Sequence, residues 1–243
     1  MKKKYRVGNK KGISLIENLL SMALFLFIVM GVLEVFSLSR DHFLEIKTSQ
    51  EANTAACSSL DKIKSDLQLC GRGFSEISFP DIVRPLIAES NILTCWNVEK
   101  SFPLKNPLTV GQTRISLPDT VDFSKGKELY FANVNHGEIQ TISSVDKTAV
   151  ILSSSLMNSY AVDISELNLL NKIFFYFDKT KNVLRRKVNS SPAQPLCEDV
   201  SSFECTYSSD TNLVNIRLSL TLNPEKVYEI SVFPKNTALT SSR

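Results

Sequence analysis

Glu17 is the first acid in the chain, and its position limits the chemistry it can do. It stands five residues after Gly12 and immediately precedes Asn18 to Leu33, a stretch with no charge. A carboxylate at the centre of a bilayer costs about 2.5–3.5 kcal/mol on insertion scales, and less nearer the interface. Two kinds of partner offset such a cost. One is local: Ser14-Leu15-Ile16-Glu17 fits a capping box, in which the hydroxyl and the carboxylate each accept a free N–H of the first helical turn. The other is an amine. A cut after Gly12 would give Ile13 an α-amine with an ordinary pKa of about 7.7–8.0, and in a stack of copies one amine would neutralise a neighbour's Glu17. Capping alone leaves the leader, the glycine and the apolar run unexplained. The two readings coexist.

Other reactive side chains offer less. Five cysteines, Cys57, Cys70, Cys95, Cys197 and Cys205, permit two bridges and a remainder. Cys197 and Cys205, close in sequence around Phe203, form the most local pair; Cys70 with Cys95 is a second, leaving Cys57 unpaired. The alternative is that several are free buried thiols. None has metal-site spacing, so no metal and no cofactor is expected. His42 and His136 lack a nearby nucleophile or second ligand and read as surface residues. No Gly-x-Ser-x-Gly, His-Glu-x-x-His or phosphate-binding glycine loop occurs, so an enzyme is not expected. Asp119, Asp122 and Glu128 lie in turn contexts that leave a calcium site open; Arg185-Arg186-Lys187 reads as a solvated strand face and Trp96 as a core residue.

Charge and apolar patterning define the elements around these residues. Residues 1–12 hold six basic side chains and no acid, so the rest of the 243-residue chain, with 22 basic and 25 acidic side chains, is net −3. A body of that sign carries no nucleic-acid footprint. The basic charge is in the leader, where Lys and Arg beside an apolar span fix orientation: leader cytoplasmic, body across the membrane, cysteines in an oxidising compartment. The glycine precedes the apolar run, so cutting there would leave the span on the mature chain, unlike an ordinary secretory signal. About 20 apolar residues suffice to cross roughly 30 Å of hydrocarbon. Glu34 falls near the far interface, where a carboxylate is cheap, and is assigned no role.

Arg40 to Leu69 has no proline or glycine, and Phe43, Ala52, Ala56, Leu60, Ile63 and Leu67 recur at threes and fours, one face of an amphipathic helix. Gly71 and Gly73 are its expected stop. Beyond them the period becomes strand-like. Short runs are expected as strands at Ile92–Val98, Thr113–Leu117, Leu129–Val134, Ile139–Val145 and Val150–Ser153, and again at Ile173–Phe177, Val183–Val188, Phe203–Tyr207, Leu213–Leu222 and Val227–Phe233. Ser159–Leu170 fits a loop or one helical turn, and the tail from Asn236 reads as frayed. The expected organisation is a cytoplasmic leader (1–12), a transmembrane half-helix (13–39), an amphipathic half-helix (40–70) and a β-rich globular domain (71–243). The fold class is α+β, one long N-terminal helix packed on an antiparallel sheet-rich domain.

Lys11-Gly12-Ile13-Ser14-Leu15-Ile16-Glu17 followed by an apolar helix resembles the class III signal of type IV pilins and type II secretion pseudopilins, usually Gly, Phe, Thr, Leu, Ile, Glu and a leucine-rich span. Asp61 to Gly71 is similar to the helix ending of the minor pilin PilW and pseudopilin J group. Phe175-Tyr176-Phe177, Asn182 to Arg186, Leu196 to Phe203 and Val232 to Asn236 echo that group too, with Lys235 where arginine is usual. The resemblance implies cleavage between Gly12 and Ile13 by a prepilin peptidase, N-methylation of Ile13, and Glu17 as the assembly contact. It also implies the partners: the peptidase, other pilin or pseudopilin subunits, an inner-membrane assembly platform and the lipid bilayer. The chain would start as a single-pass inner-membrane protein with its ectodomain in the periplasm, and then join a type IV pilus or a type II secretion pseudopilus as a minor subunit of a tip or priming complex. The alternative is a signal-anchored periplasmic binding or adhesion domain that joins no filament. Mass spectrometry of the mature chain is expected to find Ile13 as the first residue, carrying one methyl group; an uncut N-terminus would favour the anchored alternative.

Overall fold

The structure is a computed structural model that describes residues 14–74, 84–133, 136–162 and 165–237. Gly12 and Ile13 lie outside the described residues. The protein is α+β: among the described residues a helix, α1 (Leu15–Leu69), is followed by twelve strands in two antiparallel sheets. It divides into two compact units, Met1–Glu51 and Ala52–Arg243. In the first, the described chain is the first part of α1, whose side chains are almost all exposed. One stretch of it is long and apolar enough to cross a membrane, and none of that stretch is buried within the chain.

The second unit begins with the rest of α1, and here the helix has a buried face. Ala56, Ser59, Leu60, Ile63, Asp66 and Leu67 are all buried, at the threes and fours that put them on one side. The aliphatic members join a core with Leu93 and Cys95, Ile173 and Phe175, Leu184, Phe203 and Ile216. Phe43 does not take part: it is 65% exposed and lies in the first unit. The helix ends where left-handed glycines take over, Gly71 at φ 76° and Gly73 at φ 80°. The exit docks on a strand, with Gly71 N–H donating to the Trp96 carbonyl and Val98 N–H to the Arg72 carbonyl, both at 2.8 Å. A Cβ on Gly73 would sit 2.7 Å from Val98 Cβ, so both φ and space require glycine.

The larger sheet runs β1 (Leu86–Glu89), β2 (Ile92–Pro103), β7 (Ser165–Asp178), β4 (Glu128–Asn133), β5 (Gly137–Val145), β6 (Ala149–Leu152) and β3 (Arg114–Ser116). β8 (Val183–Val188) pairs β7, and β9 (Gln194–Cys197) pairs β8. β7 is the organising strand. Along one side it pairs β2 over most of its length; along the other it pairs β4 through Ser165–Leu170 and then β8 through Ile173–Asp178. Its odd-numbered residues therefore serve two cores. Leu167 and Leu169 pack with Leu129, Phe131, Ile142 and Val150, whereas Ile173 and Phe175 pack beneath α1. The smaller sheet is β10 (Val200–Ser208), β11 (Leu213–Leu220) and β12 (Asn223–Val232), with Val214, Ile216, Leu218 and Leu220 facing inward from β11.

Three expectations change. The segment read as loop or helical turn becomes the first half of β7, paired along both edges by β2 and β4; Leu167 and Leu169 face one core and Leu170 another, so its short alternation breaks off at Leu170. β1 and β9 have weak signals: β1 has four residues closed by Ser90 at φ 46°, and β9 carries Pro195, tolerated because it is an edge strand. The tail from Asn236 is tied down at its start. Asn236 Nδ2 donates to the Gln68 and Cys70 carbonyls, and the buried Thr237 hydroxyl bonds Asn212 Oδ1 and the Pro234 carbonyl. Ile63→Ala is expected to destabilise the fold by about 2–5 kcal/mol in urea unfolding of the detergent-solubilised chain, and Phe43→Ala to change it by less than about 0.5 kcal/mol.

Candidate assembly site

The start of α1 has the cap its sequence specifies. Ser14 Oγ accepts from Ile16 N–H at 3.3 Å, and Glu17 Oε2 accepts from Ser14 N–H at 3.3 Å. Both residues are exposed. Glu17 therefore has a local partner, and its carboxylate adds favourably to the N-terminal end of the helix dipole. The cap uses one carboxylate oxygen and leaves the group open to solvent or to another chain. Past it, Leu15, Ile16, Leu19, Leu20, Met22 and Phe25 are all more than half exposed. This apolar surface is long enough to cross a membrane.

The other sequence candidates are absorbed by the fold. His42 lies 3.8 Å from Glu45 on the helix surface. His136 Nε2 is within hydrogen-bond distance of Asn133 Nδ2 and the Ser159 carbonyl, and Asn133 Oδ1 accepts from His136 N–H, so the ring braces a turn. Asp122 pairs with Lys100, Asp119 accepts from Val121 N–H, and Glu128 accepts from both Trp96 Nε1 and Lys172 Nζ. The three acids do not converge, and among the described residues no group of three or more His, Cys, Asp or Glu side chains could hold a metal ion. Trp96 is buried, as expected, with Lys172 over its ring.

All five cysteines are free thiols in the structure. Cys197 lies on β9 of the large sheet and Cys205 on β10 of the small one. Their thiols donate to different carbonyls, Glu198 and Ile92, so the local pair expected from sequence is not formed. Burial pushes both thiols up, Cys205 to about 11. Cys70 and Cys95 are side by side, with a hydrogen bond between the thiols, and both are fully buried. Cys57 is exposed on α1.

The basic run Arg185-Arg186-Lys187 is not uniformly solvated. Arg186 turns inward and binds Asp66, which is 3% exposed, at 2.7 Å; Lys62 approaches the other Asp66 oxygen at 3.1 Å. Arg185 pairs instead with Asp178. The signal was present in strand parity. Leu184, Arg186 and Val188 share one face, so a cation between two aliphatics calls for a buried acid. Asp66 is the acid on the buried helix face. A buried pair of this kind fixes register more than it adds stability, but losing one partner strands the other.

Glu138 is a heavily hydrogen-bonded carboxylate. Its oxygens accept from Met157 N–H, Asn158 N–H, the Gln140 amide and the Tyr160 hydroxyl. Desolvation alone would raise its pKa, but these donors together hold it below the ordinary carboxylate range; burial and the Glu138 charge in turn push the Tyr160 hydroxyl up. The carboxylate anchors the loop after β6. No family model matches this chain, and no curated protein matches it. A folded-state pKa below the unfolded value of about 4.3 means that Glu138 stabilises fully above that pH and loses its contribution as pH falls through the folded value. Glu138→Gln is therefore expected to cost about 1–2 kcal/mol at pH 6, and thermal melts from pH 6 to pH 3 should show a smaller loss in the variant than in the natural chain.

Proposed function

We propose that the chain is a minor pilin or pseudopilin, a non-catalytic subunit that assembles through its N-terminal helix after cleavage between Gly12 and Ile13. The observation that carries this reading is the division of labour along α1. Its early apolar surface is left wholly uncovered by the chain, while its last turns are committed to the core of the β-rich unit. An element built in this way presents an unfilled helix-sized interface at one end and contributes a face to a folded core at the other. In the bilayer, lipid covers that surface; in a filament, other helices do. Glu17 then moves from water or headgroups to a neighbour's Ile13 amine, and pairing the two charges offsets the cost of burying either. The basic leader keeps the N-terminus cytoplasmic until it is removed, and the β-rich unit projects into the periplasm.

The observed cap favours one other reading, since Ser14 and Glu17 satisfy the first turn without any second copy. The chain would then be an anchored ectodomain. Two substitutions separate these readings. Glutamine serves at the third helical position of a capping box as glutamate does, so Glu17→Gln keeps the cap and removes the charge. Glu17→Ala removes both. Both variants are expected to insert and be processed normally and to be absent from sheared filaments or cross-linked subunit complexes. Incorporation of Glu17→Gln at the natural level would overturn the assembly role of the charge.

A further inference from the structure

The end of α1 and the start of β2 meet at two thiols. Cys70 is the first residue after the helix, and its Sγ donates to the Pro85 carbonyl at 2.9 Å. That carbonyl also receives Trp96 N–H at 2.9 Å. Cys95, the residue before Trp96, points its thiol toward the Asp66 carbonyl, one helical turn before Cys70, at 3.8 Å. Gly71 N–H closes the arrangement on the Trp96 carbonyl at 2.8 Å. The backbone bonds on both sides hold Cys70 and Cys95 together whatever the state of their sulfurs, and both side chains are 0% exposed. Nothing else in the described core needs two adjacent thiols at this spot, since two aliphatic residues would pack without polar hydrogens.

We propose that Cys70 and Cys95 are a disulfide-forming site, and the sole such pair among the five cysteines, so that the mature chain carries a bridge from the end of the helix to β2. The oxidant class is a thiol–disulfide oxidoreductase or a small-molecule disulfide of the extracytoplasmic space. This part rests on the topology proposed above. One cysteine thiolate attacks a sulfur of the oxidant's disulfide, giving a mixed disulfide and releasing one thiolate. The second cysteine attacks the sulfur of the first, and the oxidant's other sulfur leaves. Two protein thiols are oxidised by two electrons and one oxidant disulfide becomes two thiols, so atoms and electrons balance.

The timing follows from burial. The thiolate is the nucleophile, and burial, with the Cys70 thiol and the Asp66 charge adding to it, pushes the Cys95 thiol well above its usual range. Exchange therefore occurs while the chain is still closing its core, and the finished bridge is shielded from reductant. Cys197 and Cys205 are buried on separate sheets, and their thiols donate to different carbonyls, Glu198 and Ile92. Cys57 is exposed and remains a thiol.

The full chain is isolated from membranes under acid quench, alkylated in denaturant, reduced and alkylated with a second reagent. Tandem mass spectrometry should find Cys57, Cys197 and Cys205 carrying the first label and Cys70 and Cys95 the second. Protease accessibility on the same membranes reports which side holds the β-rich unit. Five singly labelled cysteines with that unit on the oxidising side, or a Cys197–Cys205 cross-link, would overturn the proposal and leave the assembly reading untouched. A unit on the reducing side overturns the topology instead. In that case refolding of the purified full chain in a glutathione redox buffer decides the pairing: Cys70–Cys95 in most molecules supports it, and a mixture of bridges overturns it. Reductant should lower the melting temperature of the oxidised chain by about 10 °C, as expected for a loop of this length in a domain of this size, and leave that of Cys70→Ala/Cys95→Ala unmoved. Equal sensitivity in that variant would overturn it.

Discussion

Burial of one helical face organises the β-rich unit. Ala56, Leu60, Ile63 and Leu67 stand in a core that draws side chains from β1, β2, β7, β8, β9, β10, β11 and β12. Neither sheet could close that core alone. The large sheet would leave Leu93, Ile173, Phe175 and Leu184 facing water, and the small one would leave Val214, Ile216 and Leu218. At about 25 cal/mol per Å² of apolar surface removed from water, covering both sheets with one helix is the dominant favourable term in this half of the fold. Polar contacts then fix where the helix sits: Ser59 donates to the Leu196 carbonyl, Asp66 receives Arg186, and Asn53 receives Lys226 and Tyr228. They touch β9, β8 and β12, so register is set against both sheets.

The parts of this arrangement visible in the sequence are those governed by one dominant period. The apolar stripe from Ala56 to Leu67 marks the helix and its buried side, and the run expected as a strand over Leu213–Leu222 is β11, which ends at Leu220. Val183–Val188 was recovered to the residue. Phe43 shared the spacing of the stripe but not its burial, because spacing specifies a face without specifying where cover begins. β7 is only half legible for another reason: the alternation of Glu166, Leu167, Asn168 and Leu169 lasts four residues and is broken by Leu170, which packs into the core on the other face. The Asn168 side chain is matched by Ser101 across the ladder, whose hydroxyl donates to it at 2.6 Å, and by Glu166 two residues away, which accepts from its amide.

The candidate site divides in the same way. Ser14 and Glu17 are three residues apart, and their cap is a local fact that sequence can state. The Asp66–Arg186 and Cys70–Cys95 neighbours are far apart in the chain, and their proximity depends on which strand follows which in space. Cys197 and Cys205 show the converse relation. Closeness in sequence suggests a pair, but the chain between them crosses from the large sheet to the small one; both side chains enter the core under α1, where their thiols meet different carbonyls.

The two-sided pairing of β7 also sets an order of events. β2 leaves the ribosome or the translocation pore long before the strand that completes it, because Leu93 waits for Phe175 and Thr94 for Phe174. Until then the β1–β2 hairpin and the buried face of α1 remain open, and neither core can shut. Pairings of such high sequence separation are slow and leave edges exposed while they are pending. The last third of the chain thus completes the domain begun by its first third. A nascent or truncated chain that stops short of β7 is a sticky intermediate rather than a smaller folded protein.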